Sequence, residues 1–146
     1  VVSIGPGPLP APLFEELSAN PEEVRAVRRR VRDWARDSGL ADEVVTDLQL
    51  VISEAVENAV EHAYAGQAPG RFSYRLRHGA DGTLRVCVAD HGRWRPPPAD
   101  PGHRGRGLDV IRDLAIEFHL DADDSGTRLR CILPATRPAS PADEPA

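Results

Sequence analysis

Apolar residues recur along this chain at two different intervals, and the switches between them divide it into elements. From Asp47 to Tyr64, DLQLVISEAVENAVEHAY, the residues Leu48, Ile52, Ala55, Ala59 and Ala63 return every three or four positions with no Gly or Pro among them. That is the spacing of one buried helical face. On a wheel of about 100° per residue, Val51 widens the stripe on one flank and Val56 and Val60 on the other. Glu57 and Glu61 face water, and Glu54, Asn58 and His62 stack at i, i+4 and i+8 along the Val51 border. A second helix is predicted from Asn20-Pro21-Glu22-Glu23, which supplies an N-cap acceptor, a first-turn proline and a capping-box glutamate. Val24, Val27, Val31, Trp34 and Ala35 form its buried stripe up to Ser38-Gly39, while Arg25, Arg28, Arg29, Arg30, Arg32 and Arg36 occupy its outer face.

The remaining segments read as strands and turns. Leu13 to Ser18 is a first strand, and Leu40 to Thr46 turns into the central helix. Gly70 to His78 and Thr83 to Asp90 are two strands around Gly79-Ala80-Asp81-Gly82, whose Asp-Gly pair is a hairpin signal. In LRVCVAD every residue but Arg85 and Asp90 is apolar, which predicts a strand buried on both faces. Arg93 to His103 holds Trp94, Pro96, Pro97, Pro98 and Pro101 and is a loop. Gly105-Arg106-Gly107 opens a helix over Leu108 to Glu117, with Leu108, Ile111, Leu114 and Ala115 inward. Phe118 to Ala122 and Thr127 to Leu133 close the chain as a hairpin around Asp124-Ser125-Gly126. This order predicts an α+β fold, a two-layer sandwich of a mostly antiparallel sheet with helices on one face.

Composition narrows the function. The 146 residues suit one domain, and no apolar run approaches the ~20 residues of a membrane span. With no signal-peptide pattern at Val1, a cytoplasmic protein without membrane partners is expected. The net charge of −5 argues against direct nucleic-acid binding, so the arginine face of the first helix reads as a solvated surface or a site for an acidic protein. All eighteen basic residues are Arg. Without Lys there is no Walker A loop, no Schiff-base chemistry and no phosphate-pairing lysine of the eukaryotic kinase type. Cys87 and Cys131 make no zinc pattern and read as small core residues. Residues 1–12 are a Pro- and Gly-rich lead-in or linker, and residues 135–146 a disordered tail.

Three pieces carry candidate chemistry: Glu54-x-x-x-Asn58 on a helix, Asp90-x-Gly92 at a strand end, and Gly105-x-Gly107 before a helix, followed by Gly126-Thr127. Each has an ordinary explanation as a helix border, a strand cap or a turn that needs glycines. Each also has a chemical one. Asn58 offers a neutral oxygen to a hard cation, Asp90 an acceptor at a pocket floor, and the glycines bare N–H groups for an anion at a helix N-terminus.

Together, in this order, they resemble the GHKL ATPase superfamily with its Bergerat fold, and within it the bacterial anti-sigma-factor serine kinases of partner-switching systems. SEAVENAVEHAY resembles the N-box, VADHG the first glycine box, GRGLDVIRDLA the second and SGTRLRCILP the closing segment, over about Phe14 to Leu133. The resemblance implies a histidine-kinase-like ATPase domain over residues 13–134 that uses ATP and Mg2+. It makes Glu54 the general base and Asn58 the Mg2+ ligand, Asp90 the acceptor for the adenine amino group, and Gly92 the space for the base. Arg104, Gly105, Arg106 and Gly107 would hold the phosphates, and Thr127 would hydrogen-bond toward adenine. His62 reads as a packed or supporting residue. The implied activity is phosphorylation of an anti-sigma-factor antagonist of the STAS type, with sequestration of a sigma factor and the homodimer that relatives commonly form. Arg93 and Trp94 stand where a further glycine is often found, and the loop that corresponds to the ATP lid is short and Pro-rich. A catalytically weak nucleotide- or partner-binding module, part of a larger phosphatase or sensor protein, is therefore the alternative.

Overall fold

The computed structural model describes residues 9–63, 68, 70–92 and 107–136, without the side chains of residues 62 and 63. The lead-in over residues 1–8, the loop 93–103, Arg104, Gly105, Arg106, the side chain of His62 and the tail from residue 137 lie outside the described residues.

Five strands form one antiparallel sheet: β1 (Leu13–Ser18), β2 (Arg71–His78), β3 (Thr83–Asp90), β4 (Glu117–Asp123) and β5 (Gly126–Pro134), in the spatial order β1-β2-β3-β5-β4. Gly82, at φ +77, makes the tight turn between β2 and β3 that its Asp-Gly pair predicts. Three helices cover one face: α1 (Pro21–Asp37), α2 (Asp42–Asn58) and α3 (Gly107–Leu114). Asn20 caps α1 by accepting from the Glu23 N–H at 3.2 Å. The core lies between the layers. Phe72, Tyr74 and Leu76 of β2, Leu84, Val86 and Val88 of β3, and Leu129, Cys131 and Leu133 of β5 meet Val27 and Val31 of α1 and Leu48, Val51 and Ile52 of α2. Each fully buried aliphatic side chain contributes about 1.5–3 kcal/mol, so α2, apolar along most of its length, anchors the helical layer.

The α+β sandwich and the order of its elements are those expected; several details differ. β3 is not buried on both faces. Leu84, Val86, Val88 and Asp90 are buried, Arg85 is exposed, and Cys87 and Ala89 are half-buried on the opposite side. The helices cover only one face of the sheet, so Cys131 is a core thiol, pushed up to about 12 by burial, and Cys87 is not.

α2 starts at Asp42, earlier than its periodic stripe, because Val44 and Val45 are also buried, and Asp42 and Glu43 suit the positive end of the helix dipole. α3 stops at Leu114 because the Ile116 N–H bonds the Ile132 carbonyl at 2.7 Å, drawing the chain into β4 from Glu117. Arg30 does not join the outer arginine face: it turns to Glu15 of β1, which also accepts from the Tyr74 hydroxyl, tying α1, β1 and β2 together. Trp34 is only half-buried; its Nε1 donates to the Ala11 carbonyl at 2.8 Å and its ring packs on His78. Glu57 is half-buried rather than fully in water; burial and the neighbouring Glu54 and Glu61 raise its carboxyl, and Arg28 of α1 opposes them.

Candidate functional site

Beyond Asn58 the α-helical ladder gives way to a π-helical turn, Ala59–Ala63, which packs against β3 and β5. The i→i+5 turn widens the helix at its C-terminal end, and such turns recur at functional sites. Asn58 is half-buried at the junction, one α-turn from Glu54, which is half-buried too.

Glu54 meets α3 rather than solvent. A Cβ placed on Gly107, the first residue of α3, would collide with the Glu54 carboxylate. With glycine here the Glu54 carboxylate keeps its place against the beginning of α3; a larger residue would push the carboxylate aside. The result sets a carboxylate beside a helix N-terminus, the place where backbone N–H groups are free to receive an anion.

Asp90, the last residue of β3, is directly opposite Thr127 of β5. Asp90 is 7% exposed, and its carboxylate accepts from the Gly92 N–H at 3.0 Å. Burial raises its pKa to about 6, against the lowering effects of the backbone at Gly92 and Thr127 and of the adjacent His91. Thr127 is likewise buried, and its Oγ1 has no hydrogen-bond partner among the described residues. An unpartnered buried hydroxyl costs about 1–3 kcal/mol, which is tolerable where a ligand supplies the partner.

The two strands come together here because Gly126 has no side chain. It sits at φ +148, and a Cβ would strike the Asp90 carbonyl oxygen and the His91 Cα. Gly126, singled out in the sequence only alongside Thr127 in Ser125-Gly126-Thr127, thus builds this part of the site.

The structure thus brings Glu54 together with Gly107, and Asp90 with Gly92 and Thr127, around the end of α2 and its π turn. The phosphate-side residues Arg104, Gly105 and Arg106 are outside the described residues. Such an arrangement offers a buried acceptor and a free hydroxyl at one end, and a base beside a helix N-terminus at the other.

A family model described as histidine kinase-like ATPase domain matches residues 17–133. Among curated relatives, the serine-protein kinase RsbW of Bacillus licheniformis is 31% identical over 125 residues, covering 75% of this chain and 77% of the relative. RsbW of Bacillus velezensis is 38% identical over 77 residues, 53% of this chain and 48% of the relative. RsbW of Listeria innocua is 34% identical over the same length, so the chain spans about half (48%) of that relative. Among solved structures, the RsbU and RsbW domains of Rv1364c from Mycobacterium tuberculosis match with a TM-score of 0.72 and 31% identity, covering 88% of this chain and 34% of that one. The SiaB–SiaC complex from Pseudomonas aeruginosa, at 15% identity and TM-score 0.63, over 83% of this chain and 88% of the matched one, shares the fold.

Proposed function

The chain belongs to the histidine kinase-like ATPase domain family and, within it, to the RsbW serine-protein kinases, and on that premise we propose that it is an ATP-dependent serine/threonine protein kinase of a partner-switching system. Its substrate is an anti-sigma-factor antagonist, and the same domain sequesters a sigma factor when that antagonist is phosphorylated. The names of the relatives support the kinase class. The observation that carries the reading is the approach of the Glu54 carboxylate to Gly107, which sets a base beside the place where a γ-phosphate would lie.

The residues present fit a nucleotide. The Asp90 carboxylate is an acceptor for an exocyclic amino group, and the orphaned Thr127 Oγ1 is a further partner on the same wall. The chain at Gly92, buried at the end of β3, leaves that wall without a side chain. The donor set fits Mg2+ as well. Among the described residues no three His, Cys, Asp or Glu side chains gather into a metal-holding group. The one oxygen that Asn58 offers suits an ion bound mainly by phosphates and water. When bound, Mg2+ neutralises charge that develops on the transferring phosphoryl group.

In the transfer itself, Glu54 accepts the proton of a partner Ser or Thr hydroxyl as that oxygen bonds to the γ-phosphorus. The bond from the γ-phosphorus to the β,γ-bridging oxygen breaks, and ADP leaves with that oxygen. Positioning does most of the work in such a reaction, and the rigid α2–α3 contact supplies it.

The deciding experiment is transfer of labelled γ-phosphate to a STAS-type partner. Glu54→Gln is expected to lower the rate at least about a hundredfold while ATP still binds. Asn58→Ala is expected to weaken ATP binding in Mg2+ but not in EDTA. Unchanged transfer by Glu54→Gln overturns the base assignment. A second reading, a module that holds nucleotide or partner and transfers nothing, is favoured by Arg93 and Trp94 following Gly92; stoichiometric capture of a partner with no labelled product would establish it.

A further inference from the structure

The face of the sheet turned away from the helices differs from the rest of the molecule. Alternate residues of each strand reach it. Strand register sets Phe14, Arg75, Cys87, Arg130 and His119 in one row across all five strands. The adjoining row holds Arg77, Arg85, Ile132 and Glu117, and Arg128 stands in the row on the other side. Together they line a groove of about 550 Å³ with five arginines and a single acid, Glu117, in a chain whose net charge is −5.

The arginines are poorly neutralised. Arg77 and Arg85 are direct cross-strand partners, a like-charge pair about 5 Å apart at Cβ that weakens a sheet. Neither the Arg77 nor the Arg128 side chain makes a hydrogen bond or ion pair among the described residues. Arg75 lies over the Phe14 ring at 5.1 Å, Arg85 is 4.0 Å from Asp81, and Arg130 reaches Asp121 on the rim at 3.3 Å. A cluster of this kind is a standing electrostatic cost that an anionic occupant would relieve.

We propose that this groove docks an acidic polypeptide segment of a protein partner, on the side of the sheet opposite Glu54 and α3. Guanidinium forks match carboxylates in two-bond geometry. Phe14, 52% exposed at one edge of the groove, gives an apolar side chain of the same segment a place to pack. Other occupants fit less well. Five strands span only about 20 Å, room for a short peptide segment but for only a few phosphates of a nucleic acid. A second copy laid face to face about a two-fold axis would set arginines against arginines. The proposal does not depend on the kinase reading, because the groove shares no residue with that site.

The test uses the full 146-residue chain and a fluorescent peptide of alternating Glu and Ala around one Phe. Binding is expected to weaken about tenfold between about 50 and about 300 mM salt and to fall at least about tenfold in the double variant Arg77→Glu/Arg128→Glu. The variant's ATP titration should match wild type, its thermal melt should match or exceed wild type because Arg77→Glu places an opposite charge across from Arg85, and bound peptide should slow alkylation of Cys87. Equal peptide affinity in the double variant overturns the proposal. So does tighter binding of a single-stranded RNA of the same length, which would make the face a nucleic-acid site. A dimer that protects Cys87 without peptide also overturns it, since a second copy would then cover the groove.

Discussion

Asp90 and Thr127 face each other across β3 and β5, one with a carboxyl whose pKa burial raises and the other with a buried hydroxyl that has no partner among the described residues. A buried acceptor beside an orphaned hydroxyl marks a wall suited to a ligand, and each gives a measurable consequence.

Thr127→Val replaces the orphan hydroxyl by a methyl group of nearly the same shape. Removing an unsatisfied buried group should leave stability unchanged or raise it by about 1 kcal/mol. ATP affinity should nevertheless fall several-fold. Urea denaturation and nucleotide titration on the same preparation check both; a loss of stability alongside the loss of binding would mean that Thr127 serves packing only.

Asp90 supplies the pH dependence. Its folded pKa, about 6, lies above the ordinary 3.8, so between those values the folded state holds more protons than the unfolded one. Its contribution to stability is therefore greatest below the ordinary value and is lost as pH rises through about 6. Binding runs the other way, because the ionised carboxylate is the better acceptor: ATP affinity should rise from pH 5.5 to 7.5 in wild type. In Asp90→Asn it should be weak and flat over that range. Isothermal titration at the two pH values decides it.

Gly107→Ala forces a methyl group into the Glu54 carboxylate. α3 would have to shift or Glu54 adopt another rotamer. Alanine is favoured in helices by close to 1 kcal/mol over glycine, so the melting temperature should change little. Phosphotransfer should fall about tenfold or more with ATP affinity largely kept. A single-turnover assay beside a thermal melt separates the two effects.

Gly126→Ala should act on the fold. The position combines φ +148 with a Cβ path blocked by the Asp90 carbonyl, so both strain and a displaced strand pair oppose the substitution. A loss of about 2 kcal/mol or more is expected, read as a lower urea midpoint, and the pair that holds Asp90 against Thr127 should loosen with it.

Much of this was legible in the chain. Asn20-Pro21, the alternation of β2 and the Asp81-Gly82 turn carry local chemistry that fixes an element, and each element fell where that chemistry placed it. That Glu54 and Asn58 stand one turn apart was readable because spacing sets it on any helix; their roles came only from the resemblance. What was not legible depended on partners distant in sequence. The apolar run of β3 gives no sign that, among the described residues, the helices cover only one face of the sheet. The π turn after Asn58 leaves no mark in a helical pattern without Gly or Pro. Arg30 looks like its neighbours Arg28 and Arg29 until Glu15 and Tyr74, on strands far along the chain, are in place. The need for glycine at 126 is likewise set by the Asp90 carbonyl across the strand pair, and at 107 glycine leaves the Glu54 carboxylate in place.

The two margins of the sheet, β1 and β4, present Glu16 on one side and Glu117, Asp121 and Asp123 on the other. An open strand is a template for another strand, and charge is a common way to spoil it. Here any edge-to-edge polymer of identical molecules, in whichever pairing of margins, would bring carboxylates alongside carboxylates. Fibre formation is thereby disfavoured near neutrality and relieved by acid, so concentrated stocks of this protein should keep best well above the pH range in which carboxylates titrate.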